Sequence, residues 1–359
     1  MEFNTSSKTI LIAPLNWGLG HATRCIPIIK ALQENNFVPI IASDGVALEL
    51  LQKEFPYLQT LELPSYQIEY AKNGKNFKWK LLRNCPKMVK AILEEKKMVK
   101  QWIQKYAIDG IISDNRLGVF SKKVPTVFIT HQLNVMTGNT TWITSKLHQH
   151  IIKKYTECWV PDFEGKRNLS GDLGHLKQSK LKLKYIGPLS RMQKREVPKL
   201  YDLMIILSGP EPQRGLLEEK LKKEVLNNYK GKVVFIKGIV EKEQKKEQID
   251  HVSFYNFMNT PQLEQTFNGS DVVLCRSGYT TIMDLVQLEK KAFFIPTPGQ
   301  YEQEYLAKKM KLDGWIPYKT QEKFKIRNLT RIEVYFGFPK WNNNLDWKKL
   351  FEILEKPIK

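Results

Sequence analysis

The sequence predicts an α/β protein built as two doubly wound halves, each a mostly parallel sheet flanked by helices. Three observations carry this. The chain has 359 residues, more than one hydrophobic core ordinarily organises, so two domains are the default. Short apolar runs alternate with helical patterns, and the runs are apolar on both faces, as strands covered by helices on each side must be. The alternation breaks once, where a strand-like run ends at Ile186-Gly187-Pro188-Leu189 and a charged stretch follows to Lys199. The expected domains are 1–187 and 188–359, with a linker at about 187–200.

In the first half Thr9–Ala13 is a short strand, followed by a glycine-containing turn and a helical pattern over His21–Gln33. Val38–Ala42 is the next strand and Gly45–Phe55 the next helix. Gly110–Ser113 and Thr126–Ile129 are further strands, each ending in polar residues. The second half repeats the theme. Asp202–Leu207 is a strand, Leu216–Tyr229 a helix, and Lys232–Ile236, Val272–Leu274 and Ala292–Ile295 are later strands. A final helical stretch, Trp347–Leu354, is free to pack back on the first domain.

Hydrophobic content of 42% is that of a globular protein. The longest apolar runs, Ile10–Leu15 and Ala292–Pro296, are strand-sized and far short of a membrane span. Met1-Glu2-Phe3-Asn4 lacks the basic region and apolar core of a signal peptide. The four cysteines (Cys25, Cys85, Cys158 and Cys275) are scattered, which argues against zinc and against a disulfide framework. A cytoplasmic protein is expected.

The net charge of +20 is abnormal and uneven. Residues 72–105 hold eleven Lys/Arg against Glu94 and Glu95, so this segment carries +9. Such a concentration predicts a surface that meets anions. Within it Leu82, Cys85, Val89, Leu93, Val99, Trp102 and Tyr106 approximate a helical stripe, and Pro86 predicts a helix that starts or kinks near Asn84. Two readings follow: a core-facing helix with a solvated basic side, or a face resting on an anionic membrane. A nucleic-acid-binding module is the non-enzymatic alternative, but no basic motif interleaved with aromatics is present, and no nucleic-acid partner is expected.

In open sheets, ligands bind beyond the carboxyl ends of the strands. The first such turn is Pro14-Leu15-Asn16-Trp17-Gly18-Leu19-Gly20-His21. Gly18 and Gly20 let the backbone approach a ligand and open a helix N-terminus toward it. The third glycine of a dinucleotide fingerprint is missing, which disfavours an NAD-linked dehydrogenase. His21, at the helix start, is a candidate general base. Ser113-Asp114-Asn115-Arg116 follows another strand, where Asp114 is a base, an orienter or a turn cap. Thr130-His131-Gln132-Leu133-Asn134 follows a third and offers His131 and Asn134 to an acceptor, or is a polar loop capped by Asn134.

The most informative stretch runs from Asp271 to Leu285. A strand leads into the small-polar turn Arg276-Ser277-Gly278-Tyr279-Thr280 and then a helix, so N–H groups near Gly278–Thr281 face a diphosphate. Asp284, one helical turn past Thr280, can accept hydrogen bonds from ribose hydroxyls. Such a site needs no P-loop lysine.

This block, continued by Phe293-Phe294-Ile295-Pro296-Thr297-Pro298-Gly299-Gln300-Tyr301-Glu302-Gln303, resembles the nucleotide-sugar site of glycosyltransferase family 28. Weaker matches follow in order: the Gly-x-Gly-His turn, His131 with Asn134 and Gly138, the Gly187-Pro188 linker, and Asn256-Phe257-Met258. The resemblance covers about residues 9–312. It implies the GT-B architecture, two Rossmann-like domains whose parallel sheets face a central cleft. It also implies a UDP-sugar donor, inversion at the anomeric carbon, and no obligatory metal or other cofactor.

On that resemblance Phe257 and Met258 border the uracil, and Arg276, Ser277, Gly278, Tyr279 and Thr280 border the diphosphate. Asp284 takes the ribose, and Glu302 and Gln303 the donor sugar. Ser208 and Gly209 stand where the family has Gly-Gly-Ser. The Gly18–Gly20 loop lies near the diphosphate and His21 near the reacting hydroxyl. The strand-end motif His131-Gln132-Leu133-Asn134 departs from the family's His-Glu-Gln-Asn, and Asp284 replaces a glutamate. The expectation is therefore a relative of the family's peptidoglycan enzyme with a different acceptor, lipid-linked or otherwise membrane-associated, or a glycan. It would be peripheral on the inner face of the plasma membrane. A UDP-sugar 2-epimerase on the same architecture is the enzymatic alternative.

Overall fold

The computed structural model describes residues 7–66, 77–136, 141–209, 211–239, 241–341 and 345–356. Met1–Asn4, residues 72–76 of the basic segment, Gly138 and Pro210 lie outside the described residues, as do the side chains of 77–85. Among the described residues the chain divides into two units, one of 7–66, 78–189 and 345–356, the other of 190–341.

The first unit holds a seven-stranded sheet made of β1 (Thr9–Pro14), β2 (Val38–Ser43), β3 (Thr60–Glu62), β4 (Ile108–Asp114), β5 (Thr126–Ile129), β6 (Glu157–Val160) and β7 (Leu183–Tyr185). Its order is β3-β2-β1-β4-β5-β6-β7, and every pairing is parallel. The helices are α1 (Gly20–Glu34), α2 (Gly45–Glu54), α3 (Phe77–Lys105) and α4 (Thr141–Ile152). β1 is buried on both faces because helices cover both. Leu11 and Ala13 join Ile40, Ile111 and Val99 of α3 in one core cluster. Strands covered on both sides cannot alternate polar and apolar residues, which is why they read as continuous apolar runs.

Of the two expected forms of α3, a helix start near Asn84 is not the one adopted. The helix begins at Phe77 and runs through Pro86 without stopping. Pro86 is exposed, where water can serve the carbonyl that a proline leaves unpaired. The expected stripe is also split. Ala91, Glu95 and Val99 are buried, whereas Val89 and Leu93 are more than half exposed, at 55% and 58%.

The second unit holds a six-stranded sheet in the order β10-β11-β9-β8-β12-β13. Its elements are β8 (Tyr201–Ile206), α5 (Gln213–Asn228), β9 (Val233–Ile236), β10 (Lys246–Ile249), β11 (Val252–Tyr255), α6 (Thr260–Asn268), β12 (Ser270–Cys275), α7 (Tyr279–Gln287), β13 (Lys291–Phe294) and α8 (Tyr301–Leu312). All its pairings are parallel except the edge hairpin β10–β11. Leu203, Ile205, Phe235, Phe254 and Phe293 form its core with Leu217 and Leu221 of α5.

The last helix, α9 (Trp347–Glu355), belongs to the first unit. Asp346 caps it by accepting from the Lys349 amide at 3.0 Å. Phe351 packs on Phe37 and Trp159 with ring centroids 5.6 and 6.3 Å apart. Gly110 makes room for Leu354 of the same helix, since a Cβ there would meet Leu354 Cδ2 at 3.2 Å and Ile10 Cδ1 at 2.9 Å.

Each sheet reverses its strand order once, between β1 and β4 in the first unit and between β8 and β12 in the second. Such reversals leave a crevice beyond the carboxyl ends of the two strands, where helices depart to opposite faces.

Candidate active site

At the first reversal β1 leads through Asn16–Leu19 into α1, and β4 ends at Asp114. Gly18 turns with φ +72°, a conformation that favours glycine. Arg116 braces the other strand end. Its Nε donates to the carbonyl of Pro14 at 3.1 Å and Nη1 to Glu95 at 2.9 Å, while Nη2 pairs with Asp44. Glu95 also accepts from Tyr66 Oη at 2.7 Å and from the Gly118 amide at 2.9 Å. The ends of β1, β2 and β4 are thereby tied to α3.

On that brace His21 Nδ1 lies 2.9 Å from Asp114 Oδ1. Asp114 is fully buried, and its two oxygens engage Arg24 through Nε at 2.5 Å and through Nη2. Arg24 Nη2 is 2.8 Å from His21 Nδ1, and Nη1 is 3.2 Å from His131 Nδ1. Burial opposes the charge on Asp114, but the Arg24 guanidinium, and then His21, hold its carboxyl well below the usual carboxylate range. Burial, and then Arg24, lower the His21 pKa, with Asp114 pulling the other way. The imidazole is consequently neutral at pH 7, with a carboxylate behind Nδ1. That is the arrangement of a general base oriented through its second nitrogen. His131 is buried on Arg24. Asn134 stands apart from this group, since its Nδ2 donates to the Asp172 carbonyl at 2.6 Å.

At the second reversal Ser208 and Gly209 follow β8, and Arg276, Ser277 and Gly278 follow its neighbour β12. Ser208 and Gly209 are exposed, and Gly209 has φ +99°. Gly278 is the N-cap of α7 and has no side chain to cap the first turn. A Cβ there would find nothing nearer than Thr281 Oγ1 at 3.9 Å, so the helix start is open to a close ligand. Tyr279 is buried within the first turn, and Thr280 is half-buried.

Arg276 and Ser277 point inward. Arg276 donates to the carbonyls of Ile295 and Pro296, both at 3.1 Å, to that of Gln213 at 2.9 Å, and to Gln321 Oε1 at 2.8 Å. Burial lowers its pKa to about 10. Ser277 Oγ donates to the Gln303 carbonyl at 2.7 Å, and Gln303 Oε1 accepts from the Thr297 amide at 2.9 Å. These bonds fasten the loop after β13 and the start of α8, where Glu302 is half-buried, to the loop after β12.

Asp284 is half-buried on α7 and accepts from Ser190 Oγ at 2.6 Å. Burial raises its pKa to about 6, against the Ser190 bond and the charge of Arg191. Phe257 and Met258 are half-buried just beyond β11, held by the Phe257 amide on Asn256 Oδ1 at 3.0 Å and by Thr266 Oγ1 on Met258 Sδ at 3.4 Å. Arg24 and Ser190 were not singled out in the sequence. The signal for Arg24 was its place three residues after His21, on the same helix face. Ser190 carries no local signal.

Among the described residues no cluster of three or more His, Cys, Asp or Glu side chains is placed to hold a metal ion. No described helix is long and apolar enough to cross a membrane.

Residues 211–331 match the model of the glycosyltransferase family 28 C-terminal domain. The UDP-N-acetylglucosamine–N-acetylmuramyl-(pentapeptide) pyrophosphoryl-undecaprenol N-acetylglucosamine transferase of Haemophilus ducreyi is 21% identical over 230 residues, 61% of this chain. That match spans 60% of the relative, less than two thirds of its length. The Buchnera aphidicola protein of the same name is 22% identical over 277 residues, 75% of this chain and 72% of the relative. The crystal structure of Acinetobacter baumannii MurG matches with a TM-score of 0.55 at 12% identity, covering 97% of this chain and 93% of that one. The fold is GT-B, two parallel-sheet α/β units.

Proposed function

We propose, for a chain whose second unit contains a glycosyltransferase family 28 C-terminal domain, that it is an inverting glycosyltransferase. In this reading it moves a sugar from a UDP-sugar to a hydroxyl of a lipid-linked or other membrane-associated acceptor. The observation that carries the reading is the presence of a reversal site in each unit: an open helix start with Asp284 in the second, and a His21–Asp114 pair in the first. A binding module would need only the first of these.

In the proposed reaction His21 Nε2 accepts the proton of the acceptor hydroxyl while its oxygen attacks the anomeric carbon. The bond from that carbon to the diphosphate breaks, and its electron pair leaves on UDP. The N-terminal end of α7, with its partial positive charge, offsets the charge growing on the leaving group. Asp284 holds the ribose, Phe257 and Met258 border the uracil, and the loop with Glu302 and Gln303 meets the donor sugar. Because helix dipole and N–H groups do this work, EDTA is expected to leave the rate unchanged.

A membrane-associated acceptor is supported by two exposed faces of the first unit. Trp142, Ile143 and Leu147 on α4 are 71%, 60% and 62% exposed, with exposed Lys146 among them. On α3, Val89 and Leu93 stand exposed beside Lys90, Lys97 and Lys100. Apolar side chains interleaved with lysines suit an anionic headgroup layer.

The test measures UDP release from a panel of UDP-sugars with and without lipid extracts. Release that depends on the lipid fraction, with radiolabelled sugar passing into lipid, supports the reading. Release without acceptor, accompanied by a 2-epimerised sugar, would instead identify the epimerase.

A further inference from the structure

Arg24 is the member of the first reversal site that neither the fold nor the proposed donor site accounts for. It lies one turn beyond His21 on α1 and is 2% exposed. An arginine so deep is retained at a cost unless its charge is matched, and here a single carboxylate, Asp114, takes both arms of its fork. The charged and titratable groups facing His21 are Asp114 from the end of β4, Arg24 from its own helix, and His131 from beyond β5. The Cys25 thiol reaches Asp114 Oδ2 at 3.7 Å on the far side.

His21 Nδ1 therefore lies between an acceptor, Asp114 Oδ1 at 2.9 Å, and a donor, Arg24 Nη2 at 2.8 Å. The two neighbours act in opposite directions. Asp114 favours a proton on Nδ1 and stabilises the imidazolium, as a lone carboxylate behind a histidine does. Arg24 is always charged and cannot accept a proton, so it opposes the imidazolium and cancels part of the Asp114 field. A lone carboxylate would leave much of the imidazole protonated near neutral pH, and a lone arginine would favour a proton on Nε2, blocking the base.

Resting on the reading of His21 as the base, we propose that Arg24 is a positioning residue: it clamps Asp114 by both oxygens and balances it, so that His21 stays neutral and can still take the acceptor's proton on Nε2. The same guanidinium meets His131 Nδ1 at 3.2 Å. Arg24 thus lies against both imidazoles of the site.

The test removes the two opposing groups in turn and follows the histidines by NMR of the full chain labelled in imidazole, which needs no substrate. In Arg24→Gln the charge is lost while a donor to Asp114 remains, and the His21 titration is expected to move up by about one pH unit or more. In Asp114→Asn it is expected to move down. Arg24→Lys, which keeps the charge, is expected to stay closer to the parent than Arg24→Gln. Movement of both variants in one direction, or a His21 titration in Arg24→Gln that matches the parent, overturns the proposal. These readings stand whether or not transferase activity is found, so failure of the clamp and failure of the transferase reading are separable. With an active acceptor, the acid limb of kcat/KM should move with the titration.

Discussion

Asp284 and His21 divide the proposed reaction between binding and chemistry, and their surroundings make the division measurable. His21 is held below its ordinary pKa, so its base form persists on the acid side of neutrality. Asp284 is raised to about 6 by burial. Its carboxylate form, which accepts from ribose hydroxyls, is complete above that pH and is lost as pH falls through it. Donor affinity measured by calorimetry should therefore weaken as pH drops from 7 to 5, and Asp284→Ala should remove that dependence. The same substitution should cost about 1.5–3 kcal/mol of donor binding, the range for a hydrogen bond to a charged group. His21→Ala should lower turnover about 10²–10⁴-fold with donor affinity unchanged. Full turnover in His21→Ala on the true acceptor would remove it as the base. Both residues could be singled out in the sequence because each lies on a helix that follows a strand and its turn. That His21 meets Asp114 could not, because 93 residues separate them and only the β1–β4 pairing brings them to 2.9 Å. The inward turn of Arg276 was equally hidden, since its partners are mostly carbonyls of distant loops.

At the scale of elements, the strands with an uninterrupted apolar run are legible and the short or polar ones are not. β1, β2, β4, β5, β8, β9, β12 and β13, edge or interior, read as apolar runs. β3 and β7 have three residues each and are only partly buried, β6 starts with a half-buried glutamate, and the β10 edge is Lys-Glu-Gln-Ile. In such strands ladder hydrogen bonds, rather than an apolar pattern, define the element. β11 is buried and β-branched only at Val252, too short a run to separate from its surroundings. α3 begins seven residues before the Asn84 start that Pro86 allows, and packing of Ala91 and Val99 holds the helix beyond the proline. α9 is held by rings: Phe351 touches Phe37, Trp159 and Trp347. Phe351→Ala should destabilise the first unit by about 3–5 kcal/mol, read as an earlier denaturant transition. A shift of a few tenths would mean that α9 is an accessory rather than part of that core.

For the whole molecule, two parallel-sheet units were foreseen because the chain is too long for one core and its strand–helix alternation is interrupted once. The donor class has a local signature, since a nucleotide is gripped by one strand–turn–helix segment and a few residues after it. The proposed acceptor has none, because the residues assigned to it lie on separate strand ends and helices. The charge of +20 is compatible with a membrane or a polyanion and decides between them only through its placement among exposed apolar residues such as Trp142 and Leu147. The central claim, that the second unit serves a UDP-sugar, is tested most directly by the unfolding temperature of the full chain across a panel of nucleotides and nucleotide sugars. A ligand at 100 times its Kd stabilises by about 2.7 kcal/mol. UDP and at least one UDP-sugar should raise the transition, and Asp284→Ala should reduce the rise. No upward shift with any uridine compound, or an equal shift in Asp284→Ala, would contradict the account.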